Sequence, residues 1–124
     1  MNVSDADRFV WDAQAFESFC ESHGEIYAAA EAMKSPKQSF PNLRSYLAAA
    51  QSVLGFPGNY DSYFKNAKDV RNYYTHNNPE IKVTQNQEKN SYKLVHYYLR
   101  KSIAKVFGIP CLKSSFVLIS EGEK

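Results

Sequence analysis

The chain has 124 residues and two cysteines, so one domain is expected, long enough to bury a core without disulfides or metal, and no second domain fits. Hydrophobic residues make up 44% and aromatic residues 15%, which excludes a disordered composition; no run approaches the ~18 apolar residues of a membrane span and the first residues lack a signal-peptide pattern, so a cytoplasmic protein is expected. A net charge of +2 does not argue for a polyanionic partner by itself, but residues 1–58 carry −3, residues 59–113 carry +6 and the tail −1, so a polyanion is expected to meet the second half; ordinary solvated lysines are the alternative.

Helical periodicity dominates, with no internal repeat. From Ser4 as N-cap, Phe9, Ala13, Phe16 and Cys20 recur at i, i+4, i+7 and i+11, and His23-Gly24 ends the run. A short Ala-rich helix is expected over 25–33, and residues 34–41, with two prolines and two serines, read as a loop. Asn42 caps a third helix striped by Leu43, Leu47, Ala50 and Leu54, with Gly55 at its C-terminal stop. After Phe56-Pro57-Gly58, a fourth helix over about 60–76 carries Tyr60, Tyr63, Ala67, Val70 and Tyr74 as its apolar stripe, and Asn77-Asn78-Pro79 terminates it. Residues 80–85 look irregular, with 81–84 as a short extended piece. A fifth helix follows over about 87–107, striped by Tyr92, Val95, Leu99, Ile103 and Val106 and stopped by Gly108. The apolar run 116–119 reads as either a strand-like tail or a final packed turn. The expected architecture is all-α: a five-helix, up-and-down-type bundle with its core over about 5–110 and a short extended C-terminal tail over 111–124.

Chemistry concentrates in Asp69-Val70-Arg71-Asn72-Tyr73-Tyr74-Thr75-His76. Taking Val70 as zero, an ideal helix puts Arg71 at about 100°, Asn72 at about 200° and His76 at about 240°, an arc expected to face away from the core. Arg71 and His76 then stand about 140° apart, so they do not converge on one atom unless the arginine reaches round or two helices meet at a two-fold axis. Cleavage of RNA by its own 2′-hydroxyl needs a proton removed, a leaving oxygen protonated and phosphate charge neutralised. Histidine suits the proton transfers and the arginine fork suits phosphate oxygens, and a dimer supplies two histidines. No acidic cluster suggests a metal, and no metal or other cofactor is expected.

In these residues the chain resembles the HEPN superfamily, whose signature is an arginine, four to six intervening residues and a histidine, most often with a polar residue after the arginine. Here it reads Arg71-Asn72-Tyr73-Tyr74-Thr75-His76, near the end of the penultimate long helix, and the next long helix ends in Phe107-Gly108-Ile109-Pro110. The resemblance spans about residues 9–110 in helix order, and within the superfamily the chain looks most like the ApeA-like HEPN domains of anti-phage defence and abortive-infection proteins. It implies a HEPN-like bundle and a homodimeric, metal-independent endoribonuclease, often a toxin or defence effector, whose cleft lies between protomers at the Arg71/His76 helix face. Arg71 and His76 inherit the catalytic roles by motif position and Asn72 a supporting one. Toxins of the superfamily silenced by a nucleotidyltransferase antitoxin typically carry a tyrosine two residues after the histidine; Asn78 stands there, a departure that argues against that mode of control. ApeA-like proteins usually carry the domain behind a larger N-terminal region, so an antitoxin or a fused regulatory domain stays an open partner.

Lys65 and Lys68, one and two turns before Arg71, are candidates to guide phosphate, with a solvated face as the alternative; Tyr73 is a candidate to stack a base, with core or interface packing as the alternative for it and for Tyr74. Arg71 can instead be a surface arginine paired with Asp69 or Asp61, and His76 a helix-terminal histidine favoured by the dipole. His23 and His96 are expected to be structural, and Cys20 and Cys111 free buried thiols. Two rivals to an endoribonuclease are a non-catalytic HEPN-like module that dimerises or binds RNA or nucleotide, and a plain helical adaptor.

Overall fold

A computed structural model describes residues 4–76, 82–110 and 118, and in it five helices form: α1 (Asp5–Ser22), α2 (Gly24–Met33), α3 (Leu43–Leu54), α4 (Asp61–His76) and α5 (Gln85–Phe107). No strand occurs among the described residues. The caps explain the boundaries. The Ser4 hydroxyl accepts from the Asp7 amide at 3.1 Å, and the Asn42 carboxamide oxygen accepts from the Ser45 amide at 3.1 Å. His23 separates the first two helices and caps the second, its Nδ1 accepting from the Ile26 amide at 3.4 Å, so α2 begins at Gly24, one residue earlier than expected. Gly55 and Gly108 close α3 and α5 in the left-handed conformation, at φ 72° and 67°.

The start of α5 was expected at residue 87, yet the helix begins at Gln85. The Thr84 hydroxyl accepts from the Gln87 amide at 3.1 Å and the Gln87 side chain accepts from the Thr84 amide at 2.8 Å. Two orphan donors are thus satisfied by a reciprocal capping box, which puts Gln87 in the third helical position rather than the first. Residues 77–81 and 111–117, with the expected helix stop at Asn77-Asn78-Pro79, Cys111 and most of the 116–119 run, lie outside the described residues; Leu118 is half-buried and packs on the core.

Helix α1 lies along α5 and also contacts α4, while α3 bridges α2 and α4, so the first and last helices among the described residues are neighbours. The α1 stripe is as its spacing requires: Phe9, Ala13, Phe16 and Cys20 are all buried. On α3 the stripe broadens to Leu43, Tyr46, Leu47, Ala49 and Ala50, with Leu54 only half-buried. Tyr98 is 1% exposed and takes the rings of Phe56 and Phe64 edge-on, each at 5.5 Å, which ties α5 to α4 and to the turn before it.

Two stripes differ from expectation. On α4 the buried set is Phe64, Asn66, Ala67 and Val70, with Tyr60, Tyr63 and Tyr74 half-buried. On α5 it is Asn90, Ser91, Leu94, Val95, Tyr98 and Ser102, while Leu99 and Ile103 are half-buried and Val106 is 38% exposed. A serine- and asparagine-bearing face is buried here: the Ser91 hydroxyl donates to the Gln87 carbonyl at 2.7 Å, one turn back, whereas the Ser102 hydroxyl has no hydrogen-bond partner among the described residues.

Candidate functional site

The fourth helix positions the six candidate residues, and the rotation of its core face decides what each can do. Counting Phe64 into the stripe widens the buried arc to run from about −40° at Asn66 through Val70 and Ala67 to about 120° at Phe64. Arg71, at about 100°, falls inside that arc, whereas Asn72 and His76 lie outside it. The outward-facing Arg71 expected from sequence is therefore corrected: its side chain is 17% exposed and turns toward α1, where its Nε donates to Glu17 Oε1 at 3.3 Å. Its Nη1 donates to the hydroxyl of Thr75, one turn on. Neither Asp69 nor Asp61 is its partner, since Asp69 pairs with Lys65 and Lys68 and Asp61 with Arg44.

Glu17 is itself 23% exposed. Burial raises its pKa above the ordinary carboxylate value, against the pull of the Arg71 charge and hydrogen bond, and the neighbouring Glu21 adds to the rise. The α1 face holding it is acidic: burial, with help from Glu17 and Glu21, also pushes the Cys20 thiol far up, and Cys20 is a free, fully buried thiol. Behind the motif, the Tyr74 and Tyr92 hydroxyls meet at 2.5 Å beside Phe9, whose ring centroid stands 5.4 Å from Tyr92 and 6.1 Å from Tyr74. Tyr74 is thus core packing. Tyr73 is half-buried and stands edge-on to Tyr74 at 5.4 Å.

His76 is exposed in the last turn of α4. Asn72 is half-buried one turn before it. The helix thus brings together a fixed guanidinium and an open imidazole five positions apart, but within one chain it points them to different sides. Lys65 and Lys68 share Asp69, at 3.4 and 3.3 Å, so one carboxylate offsets one of their two charges. Lys68 also borders an open groove of about 470 Å³ between the α2–α3 connection, α3 and α4, lined with Met33, Gln38, Asn42, Arg44 and Asp61; none of Arg71, Asn72, Tyr73 or His76 lines it.

Sequence reasoning missed Glu17, the acidic partner that defines the state of Arg71. Its signal was present, because Glu17 follows Phe16 by one residue and so flanks the α1 core stripe, but nothing in the sequence says which helix that flank meets. Among the described residues no group of His, Cys, Asp and Glu has the arrangement of a metal site, and no helix is long and apolar enough to cross a membrane. Comparison of the chain with known protein families, curated proteins and solved structures finds no match.

Proposed function

We propose that the chain is a metal-independent endoribonuclease of the HEPN type, acting as a homodimer that joins two copies of the Arg71/His76 helix end. The observation that carries this reading is the contrast between the two motif residues: Arg71 is held by Glu17 and Thr75, while His76 one turn and a residue later is open to solvent. A guanidinium fixed by two bonds loses little entropy on meeting a phosphate, and its Nη2 has no partner among the described residues. In the proposed reaction, the imidazole of one His76 takes the proton of the ribose 2′-hydroxyl as that oxygen attacks the adjacent phosphorus. The bond from phosphorus to the 5′-oxygen breaks, and the partner's His76 returns a proton to the leaving oxygen. The products are a 2′,3′-cyclic phosphate and a free 5′-hydroxyl, with Arg71 neutralising the phosphorane and Asn72 assisting. General acid–base assistance of this kind contributes roughly 10²- to 10⁴-fold. A cytoplasmic toxin or phage-defence effector is the setting this reading implies, under an antitoxin or a fused regulatory domain.

The Arg71–Glu17 pair also favours a second reading, a non-catalytic HEPN-like module that dimerises or binds RNA, because a salt-bridged and largely covered arginine is a common structural device. RNA incubated in EDTA with wild type, Arg71→Ala and His76→Ala separates the two. Cleavage by wild type and its loss in both variants supports catalysis. Absent cleavage, or cleavage surviving His76→Ala, sinks it.

A further inference from the structure

The fifth helix carries a surface that the motif does not use. Lys89, Lys93, His96 and Arg100 recur at i, i+4, i+7 and i+11 and are all exposed. At 100° per residue they fall within about 60° of arc, on the side opposite Leu94, Tyr98 and Ser102, and they span about 16 Å along the helix. Lys89, Lys93 and Arg100 have no ion pair among the described residues, whereas the α4 cations are all paired. The acidic groups that approach the row are few. Glu88 is half-buried on the flank of α5, Asp5 of α1 reaches the neighbouring Tyr92, and Asp12 of α1 holds His96 Nδ1 at 3.0 Å with the imidazole 55% exposed. In line with the row, two turns beyond Arg100, stands Phe107, 69% exposed.

We propose that this row is a binding track for single-stranded nucleic acid. Three cations without ion pairs in a straight line, with the exposed His96 ring within the longer step between Lys93 and Arg100, suit the backbone of an extended strand, and an exposed ring at the end of the row offers a stacking surface that any base can use. A membrane surface fits less well, because insertion needs a band of large apolar residues beside the cations, and none lies on the exposed arc between Lys89 and Arg100. The track needs no catalysis by His76, so it stands whether or not the chain cleaves RNA.

The test uses fluorescence anisotropy with a labelled oligoribonucleotide of about 12 residues, its DNA counterpart and vesicles containing phosphatidylserine. All proteins carry His76→Ala to prevent turnover, with EDTA present and folding checked by circular dichroism. Replacing Lys89, Lys93 and Arg100 together by glutamine is expected to weaken oligonucleotide binding at least about tenfold and to lower the slope of log affinity against log salt by about 2. Phe107→Ala is expected to weaken it a further few-fold. Replacing Lys65 and Lys68 by glutamine is expected to change binding less than the triple replacement does, since they stand on another helix and Asp69 offsets one of their two charges. Unchanged affinity and slope in the triple variant overturn the track, as does binding to the vesicles without binding to either oligonucleotide. In a cleaving wild-type background, the triple variant raises KM and leaves kcat at saturating RNA, so failure of the track and failure of the cleavage reading give different results.

Discussion

Helices α4 and α5 both lie in the basic half of the chain, and each carries lysines and an arginine, yet their charges do different things. On α4, Lys65 and Lys68 share Asp69 and Arg71 is fixed to Glu17. On α5, Lys89, Lys93 and Arg100 project from the face opposite the core with no such partner among the described residues. Cations counted along a sequence are therefore not cations available to a ligand. A carboxylate one turn away on the same helix offsets part of the charge a ligand could use, whereas Glu17, on a neighbouring helix, orients Arg71 and leaves its Nη2 without a partner among the described residues. By this measure α4 is the helix that fixes a single guanidinium in place, and α5 is the helix that offers a field.

The comparison breaks most sharply at Arg71. In Arg71→Ala the largely covered Glu17 carboxylate is left without its cation, and the expected cost is about 1–3 kcal/mol, below the range for fully buried pairs because both side chains keep some solvent. Lys93→Ala, an exposed site with no partner, is expected to stay within about 0.5 kcal/mol of wild type. Chemical denaturation of both variants reads the contrast directly. Equal midpoints would show that the ion pair does not hold α1 to α4, and would remove the fixed guanidinium on which the catalytic reading rests.

A subtler difference appears in pH dependence. The folded-state pKa of Glu17 is raised, chiefly by burial, so the folded protein keeps a proton on this carboxyl that the unfolded chain has already released. Stability contributed by that proton is fully present below the ordinary carboxylate pKa and is lost as pH rises through the raised value. Glu17→Gln, which keeps an oxygen to accept from Arg71 Nε but cannot ionise, lacks this loss. Thermal unfolding from pH 4 to pH 7 is accordingly expected to show the stability of Glu17→Gln improving relative to wild type as pH rises. A difference that stays constant, or that moves toward wild type, contradicts a raised Glu17 pKa.

Much of the bundle was legible because caps and glycines are local chemistry. Ser4, Asn42, Gly55 and Gly108 each stand where the backbone needs them, and the α1 stripe follows from spacing alone. The α5 face was misread for a physical reason. Asn90, Ser91 and Ser102 are buried, and a rule that seeks only apolar residues turns the helix toward Tyr92, Leu99 and Val106 instead. The same kind of error moved Arg71. Leaving Phe64 out of the α4 stripe rotated the inferred core away from it and placed the arginine in solvent, although Phe64 is 1% exposed against Tyr98. The candidate site was legible as residues and illegible as a state, since Glu17 lies 54 positions before Arg71 and only the packing of α1 on α4 joins them.

The smallest expected effect asks whether α4 can be made to behave like α5. Asp69→Asn removes the one carboxylate that Lys65 and Lys68 share, at a stability cost of about 0.2–1 kcal/mol because all three side chains are partly exposed. The net charge of that cluster then rises by one unit on the helix that carries His76, and if the strand passes that helix, affinity for a labelled oligoribonucleotide is expected to rise about two- to threefold, with a steeper dependence on salt. The gain should survive replacement of Lys89, Lys93 and Arg100, because it arises on a different face. Affinity that does not change on Asp69→Asn shows instead that the strand keeps to α5 and never reaches the lysines of α4. In that case His76 would need a second chain to bring it to the substrate, since its own helix does not.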